Sequence, residues 1–300
     1  MEDYRFTKTP KILTIGDFHI SCRKLSSRMR GQIPFSGMAF YHPEQRKEDF
    51  CFWMDEKDLD GDKKLLWGSS EFAVPTFLYQ RQTGDYDWIT WKKDRTPGLI
   101  FRISSHWSQF TLCRDETGTD GERAFREFGS LFSYAVLNHK ACVLHGVVME
   151  YKGIGILVTA SSGTGKTTHT RMWRDEERAL ILNGDRCLCR EIDGRWYAYG
   201  MPWAGSSGEY INRRVPIAAV VSLKRDTKNH TRILSHFEGS IYLMQRIFAP
   251  MWRCQMQEEA ISMAEKLAKE FPVIELSCRP DLESVQTLKE TLESQGVYGV

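Results

Sequence analysis

Residues 153–185 read GIGILVTASSGTGKTTHTRMWRDEERALILNGD. GIGILVTA and ALILNGD are apolar runs of strand length, and GKTTHTRMWRDEERA between them has the length and composition of a helix. Strand, loop, helix, strand is the order of an α/β fold. The loop decides more than the order does. Ala160-Ser161-Ser162-Gly163-Thr164-Gly165-Lys166-Thr167 matches the phosphate-loop pattern GxxxxGK[ST], with Ala in place of the first Gly. It leaves a strand and opens a helix, so backbone N–H groups and the positive end of the helix dipole point at an anion. Gly163 and Gly165 can take the positive-φ conformations that turn those N–H groups inward.

Ser161, Ser162, Gly163, Thr164, Gly165, Lys166, Thr167 and Thr168 are therefore the expected phosphate-binding set. Lys166 would neutralise β- and γ-phosphate oxygens, and the Thr167 hydroxyl would ligate Mg²⁺. The expected cofactors are ATP, or another nucleoside triphosphate, and Mg²⁺. Asp185 closes the next strand at the edge from which the loop departs. A carboxylate there suits a metal ligand or the base for an acceptor proton, although Asn183-Gly184-Asp185 is also turn composition.

Upstream, ACVLHGVVMEY and GIGILVTA flank Lys152-Gly153, which predicts a β-hairpin. If Tyr151 faces Ile154, His145 falls across from Ala160 at the start of the loop. An imidazole there could contact the transferred group, or it could be a satisfied core histidine. Downstream, Arg213 and Arg214 follow the Gly/Ser stretch WAGSSGEYIN. That position suits a clamp on transition-state charge, or a solvated surface pair.

Residues from about 141 to 225 resemble the catalytic core of HPr kinase/phosphorylase, a relative of phosphoenolpyruvate carboxykinase. The resemblance rests on His145-Gly146, SSGTGKT, the strand ending at Asp185-Arg186, and YGMPWAGSSGEYINRRVPIAAVVSL. It implies an α/β P-loop core with a mixed sheet and flanking helices. It also implies site roles: Lys166 and Thr167 for phosphates and Mg²⁺, Asp185 as base or metal ligand, His145 near the transferred group, and Arg213 or Arg214 in a flexible active-site loop. The chain departs from the family at Gly184-Asp185, where HPr kinases carry two adjacent aspartates.

The rest of the 300-residue chain surrounds this core in sequence. From Thr7 to about Arg114, aromatic and β-branched runs such as KILTIGDFHISC, DFCFWM and DWITW alternate with Gly, Pro and Asp, which predicts a β-rich N-terminal domain. A polar linker at residues 114–123 places the boundary so that 1–118 forms that domain and 119–300 the catalytic one. A helix beginning near Asp120 should bury Phe125, Phe128, Phe132 and Ala135. Two further helices are expected: 257–270, burying Ile261, Ala264 and Leu267, and 281–292, capped by Asp281 and burying Leu282, Val285, Leu288 and Leu292.

Forty-one Lys and Arg against 39 Asp and Glu give a formal charge of +2. No net field draws the chain to nucleic acid or a membrane, and neither is an expected partner. The start MEDYRFTKTP has no signal-peptide pattern, so a cytoplasmic location and reduced cysteines are expected. The Cys187 and Cys189 pair reads as two small strand residues in preference to a metal chelate. The activity expected is a kinase transferring a phosphoryl group to a hydroxyl acceptor: Ser or Thr of a protein or peptide, or a small metabolite. A nucleotide-dependent switch without an acceptor is the reading from another class, and a homo-oligomer stays open.

Overall fold

The computed structural model describes residues 12–22, 41–42, 47–55, 61–69, 74–113 and 121–297. The fold is mixed α/β, and the chain divides into two compact units, Met1–Leu131 and Phe132–Val300.

In the first unit the runs of β-branched and aromatic residues form β1 (Ile12–Ile15), β2 (Phe18–Ser21), β3 (Tyr41–His42), β4 (Phe50–Asp55), β5 (Lys63–Ser69), β6 (Thr76–Arg81), β7 (Tyr86–Trp91), β8 (Pro97–Ile103) and β9 (Gln109–Cys113). They make one nine-stranded sheet in the order β3-β1-β2-β4-β9-β8-β7-β6-β5. The pairings β2–β4 and β4–β9 are parallel, and the remaining neighbours are antiparallel.

Helix α1 (Gly121–Ala135) follows, and the unit division falls inside it, at 131/132 instead of the 118/119 expected from composition. Its side chains explain the shift. Phe128 stacks on Phe52 at 4.4 Å and meets Phe110 edge-on at 5.4 Å, so this part of the helix completes the first core. One turn on, Phe132 packs at 5.7 Å against Trp203 of the second unit. The linker residues 114–120, including the proposed helix start at Asp120, lie outside the described residues.

The second unit contains β10 (Ala141–Tyr151), β11 (Ile154–Thr159), α2 (Lys166–Glu177), β12 (Leu180–Asn183), β13 (Arg186–Ile192), β14 (Arg195–Tyr199), β15 (Arg214–Arg225), β16 (His230–Ile233), α3 (His236–Met244), α4 (Cys254–Glu270), β17 (Val273–Cys278) and α5 (Leu282–Ser294). Tyr151 pairs with Ile154 and Gly146 with Thr159, the register read from the hairpin. Strand β11 also pairs in parallel with β15, and β10, β13, β14 and β15 pair in succession. These five strands therefore close on themselves. Strands β17 and β16 extend the sheet beyond β15, and β12 lies against β10.

Val147, Ile156, Val158, Val221 and Ile274 form the strand side of the core, and Trp173 of α2 with Val285 and Leu288 of α5 form the helix side. Asp281 caps α5 by accepting from Ser284 N at 3.1 Å. Leu282, expected in the core, is 52% exposed, because it opens the first turn beside the cap. Ile261 is 43% exposed as well. Helix α4 buries Met256, Ala260, Met263, Ala264 and Leu267, and Ile261 sits one residue, about 100°, around from Ala260.

Candidate functional site

The loop after β11 is placed by a strand paired on both edges, and it ends in the first turn of α2. Gly165 is the residue before that helix, with φ 116°, and Gly163 has φ 74°. Both lie in the region that costs a residue with a Cβ most, so the sequence pattern and the backbone agree here. Ser161, Ser162 and Thr168 are exposed, and Thr164, Gly165 and Thr167 are half-buried. Arg225, at the end of β15, donates from Nε to Thr164 O at 3.0 Å and from Nη2 to Gly163 O. The loop carbonyls on that side are thus pinned by a cation.

Lys166 is 9% exposed. Its Nζ donates to Ala160 O at 2.9 Å, lies 3.4 Å from Ser161 O, and is 3.3 Å from Nε2 of His145. Burial pushes the Lys166 ammonium down from its ordinary range; Asp185 opposes that shift and Arg246 adds to it. His145 lies in β10, where its partner is Arg186 of β13. Its Nδ1 faces Asp185 Oδ1 at 3.5 Å. Burial, then the neighbouring Lys166, hold His145 below its ordinary value, with Asp185 pulling the other way. A neutral ring with its proton on Nδ1 suits both neighbours, since Nε2 then accepts from Lys166.

Asp185 does not end β12. It stands in the turn between β12 and β13, and that turn is built by Asn183, which is fully buried. Asn183 Oδ1 accepts from Asp185 N at 2.8 Å and Arg186 N at 2.7 Å, while its Nδ2 donates to Met201 O at 2.7 Å. Gly146 N donates to Asp185 O at 2.9 Å, tying the turn to the hairpin. The single glycine before Asp185 also has a cause. A Cβ at Gly184 would fall 1.9 Å from Ser207 Oγ, and one at Gly205 would fall 2.7 Å from Asp185 Cγ. The 200–213 segment thus lies directly on the turn, leaving no room for a side chain at 184.

His145, Lys166 and Asp185 are brought together. The two arginines expected to join them are not. Arg213 pairs with Glu150 at 2.6 Å, and Glu150 is five residues along β10 from His145. Arg214 belongs to β15 and stacks its guanidinium over Tyr197 at 4.8 Å. The physical reason lies in the segment's path. Its middle, at Gly205 and Ser207, covers Gly184 and Asp185, after which Tyr210 and Ile211 run antiparallel to Asn183 and Leu182 toward the opposite end of the sheet. The cation that accompanies the cluster is Arg246, whose carbonyl accepts from His145 N at 2.9 Å. Sequence reading passed over it because the helix before it, α3, was not recognised. The signal was present: Ser235 and Glu238 form a capping box.

Asp185 and Thr167 offer hard oxygens of the kind Mg²⁺ takes beside phosphate oxygens. The Asp185 side chain is 30% exposed, with Arg186 Nε 3.8 Å away. Among the described residues no group of three or more His, Cys, Asp or Glu could hold a metal by itself.

No family model matches the chain, and no curated protein matches it. Among solved structures it is similar to the Hpr(Ser) kinase/phosphatase from Coxiella burnetii, with a TM-score of 0.31 and 12% identity, over 51% of this chain and 99% of that one. The likeness is weak. It suggests a distant relationship at most. No helix among the described residues is long and apolar enough to cross a membrane.

Proposed function

We propose that this chain binds a nucleoside triphosphate at Ala160–Thr167 and transfers the terminal phosphoryl group to a hydroxyl acceptor. One observation carries the reading: a buried ammonium, Lys166 Nζ, is held at the mouth of a helix-opening loop beside His145, with the Asp185 carboxylate on the far side of that ring. A desolvated cation at a helix N-terminus needs an anion to offset its burial, and a polyphosphate supplies one. Lys166 would neutralise terminal phosphate oxygens, and the N–H groups of the loop would hold the chain of phosphates. Thr167 and Asp185 would hold Mg²⁺, which when bound would spread charge from the phosphate oxygens. Asp185 is the residue placed to accept the acceptor's proton if it is free of metal, and His145 fixes the ammonium against the loop. The acceptor class we favour is a Ser or Thr hydroxyl of a protein or peptide, with a small hydroxylated metabolite as the alternative.

A nucleotide-dependent switch is the second reading. It draws on Gly184, where Ser207 excludes a second carboxylate from the turn.

Calorimetric titration with ATP and Mg²⁺ tests the proposal. Lys166→Ala should weaken binding by about 10- to 100-fold, the range of a hydrogen bond to a charged group, and abolish transfer. Unchanged affinity in that variant would sink the loop assignment. Mass-spectrometric detection of added phosphate in peptide and metabolite pools separates the acceptors. Release of ADP without a labelled product favours the switch.

A further inference from the structure

Strand β11 enters the 160–167 loop with different neighbours on its two sides. On one side β10 carries His145, and Asp185 lies beyond it in the turn before β13. On the other side β15 runs parallel to β11 and β17 parallel to β15, so the carboxyl ends of all three strands open on one edge. Ligands of parallel sheets are held outside such ends. A cavity of about 470 Å³ lies there, bounded by Thr164 and Thr168 on the loop side, by Leu223 and Asp226 at the end of β15, and by Cys278 and Pro280 at the end of β17. That volume is in the range of small-molecule sites, about 300–1,000 Å³.

The lining says what kind of group the cavity suits. Leu223 and Cys278 are buried, and His169 has both ring nitrogens engaged, one by Trp173 Nε1 and the other by Ser284 Oγ. The basic side chains around the cavity are engaged as well: Lys224 with Glu275, Arg225 with the loop carbonyls, and Arg279 with Asp281 and Glu283. A phosphate would find each of these cations already paired, and it would meet the Asp226 carboxylate. Asp226 N donates to Cys278 O at 3.0 Å, which fixes the residue between the two strand ends. Among the described residues its carboxylate accepts from Thr227 and Lys228 through Oδ1, so Oδ2 is left for an N–H or O–H of a ligand. Apolar walls with one carboxylate acceptor suit a heterocycle and a sugar, which bring flat apolar faces and donors together.

We propose that this cavity holds the nucleoside half of the triphosphate, so that the nucleotide lies across the end of β11 with its terminal phosphate toward β10 and its base toward β17. This placement deepens the phosphoryl-transfer reading and rests on it for the phosphate chain. The chain then selects a nucleotide over a bare polyphosphate.

The experiment compares ATP with tripolyphosphate, both with Mg²⁺, by calorimetry on the full chain. Tripolyphosphate carries the greater charge and lacks the nucleoside, so ATP should bind more tightly, by about tenfold or more, only if the nucleoside is held. Asp226→Ala should weaken ATP by about three- to tenfold. Pro280→Trp, which adds bulk to the wall from an exposed position, should weaken it at least as much. Both variants should bind tripolyphosphate no more weakly than wild type does. Thermal melts establish that each variant is folded, and the wild-type comparison needs no variant, so the test survives the loss of either.

Equal affinity for the two ligands in wild type, unchanged ATP binding in both folded variants, or equal weakening of both ligands would each overturn the nucleoside site and leave the phosphate loop standing. Tripolyphosphate binding indifferent to Lys166→Ala, beside ATP binding that still needs Asp226, would sink the loop assignment and leave the nucleoside site standing. With neither ligand bound by wild type, both fall.

Discussion

The Lys166 ammonium lies 3.3 Å from Nε2 of His145, and the opposite nitrogen of the same ring faces Asp185 at 3.5 Å. The ring is kept neutral by burial and by that lysine, with its titration held below 6.5. A bound polyphosphate would bring negative charge to the same place and reverse the bias. Binding should then take up protons between the lowered value of the free ring and the raised value of the complex, a window that spans about pH 6.5, with affinity rising as pH falls through it. Calorimetry in two buffers of different ionisation heat measures the uptake. In His145→Gln the protein's share should vanish, leaving only that of the ligand; equal uptake in both proteins would place the ring outside the ligand's field.

Asp185 has two roles open to it, and one substitution separates them. Asp185→Asn keeps the size of the side chain and removes its basicity. As a base it should leave nucleotide affinity intact while transfer falls by about 10²- to 10⁴-fold. As a metal ligand it should instead weaken Mg²⁺-dependent binding, with added Mg²⁺ restoring part of the rate. Normal transfer at ordinary Mg²⁺ would exclude both.

The close approach of Gly184 and Ser207 predicts a coupled pair. Gly184→Ala should destabilise the unit by about 1–3 kcal/mol, the usual cost of overpacking, because its Cβ would sit 1.9 Å from Ser207 Oγ. Adding Ser207→Gly should recover most of that loss, measured by denaturant unfolding of both single variants and the double variant. Additive losses would show that the two positions do not touch.

His169 predicts a loss of stability in acid. It is 2% exposed, sits between Trp173 Nε1 at 3.2 Å and Ser284 Oγ at 3.3 Å, and burial pushes it down to about 4 from 6.5. Above pH 6.5 the imidazole is neutral whether the chain is folded or not, so there is no penalty. Between 6.5 and 4 the unfolded chain holds a proton that the folded chain refuses, and stability falls as pH drops. The full effect, reached near pH 4, is about 3 kcal/mol. Unfolding curves across this range should flatten in His169→Gln, and a slope unchanged by that substitution would exclude this residue as its source.

Much of the second unit was legible because its signals are local. Lys152-Gly153 set the hairpin register, SSGTGK set the loop, and Asp281 set the start of α5. His145 came near Lys166 through that register alone, although β13, whose arginine it pairs with, was not needed to see it. The arginines went astray because their position depends on a long path: the 203–213 stretch is anchored to Asn183 and Leu182 by single backbone contacts that no local spacing encodes. Arg246 was missed for a related reason: it lies in the turn after α3, and only its backbone bond to His145 brings it to the cluster. The unit division moved into α1 because one amphipathic face serves two cores in turn, and periodicity cannot tell which core a phenylalanine enters.

The closed circuit of β10, β13, β14, β15 and β11 leaves the strand that leads into the 160–167 loop with neither edge open. Local fraying at Ile156–Thr159 would have to break ladders on both sides at once, so these amides should exchange with solvent only when the whole unit opens. The 205–213 stretch is held instead by isolated bonds, Gly184 N to Glu209 O and Ile211 N to Leu182 O among them. The anvil beneath His145 and Lys166 is thereby as rigid as the fold itself, whatever the proposed transfer asks of the residues around it.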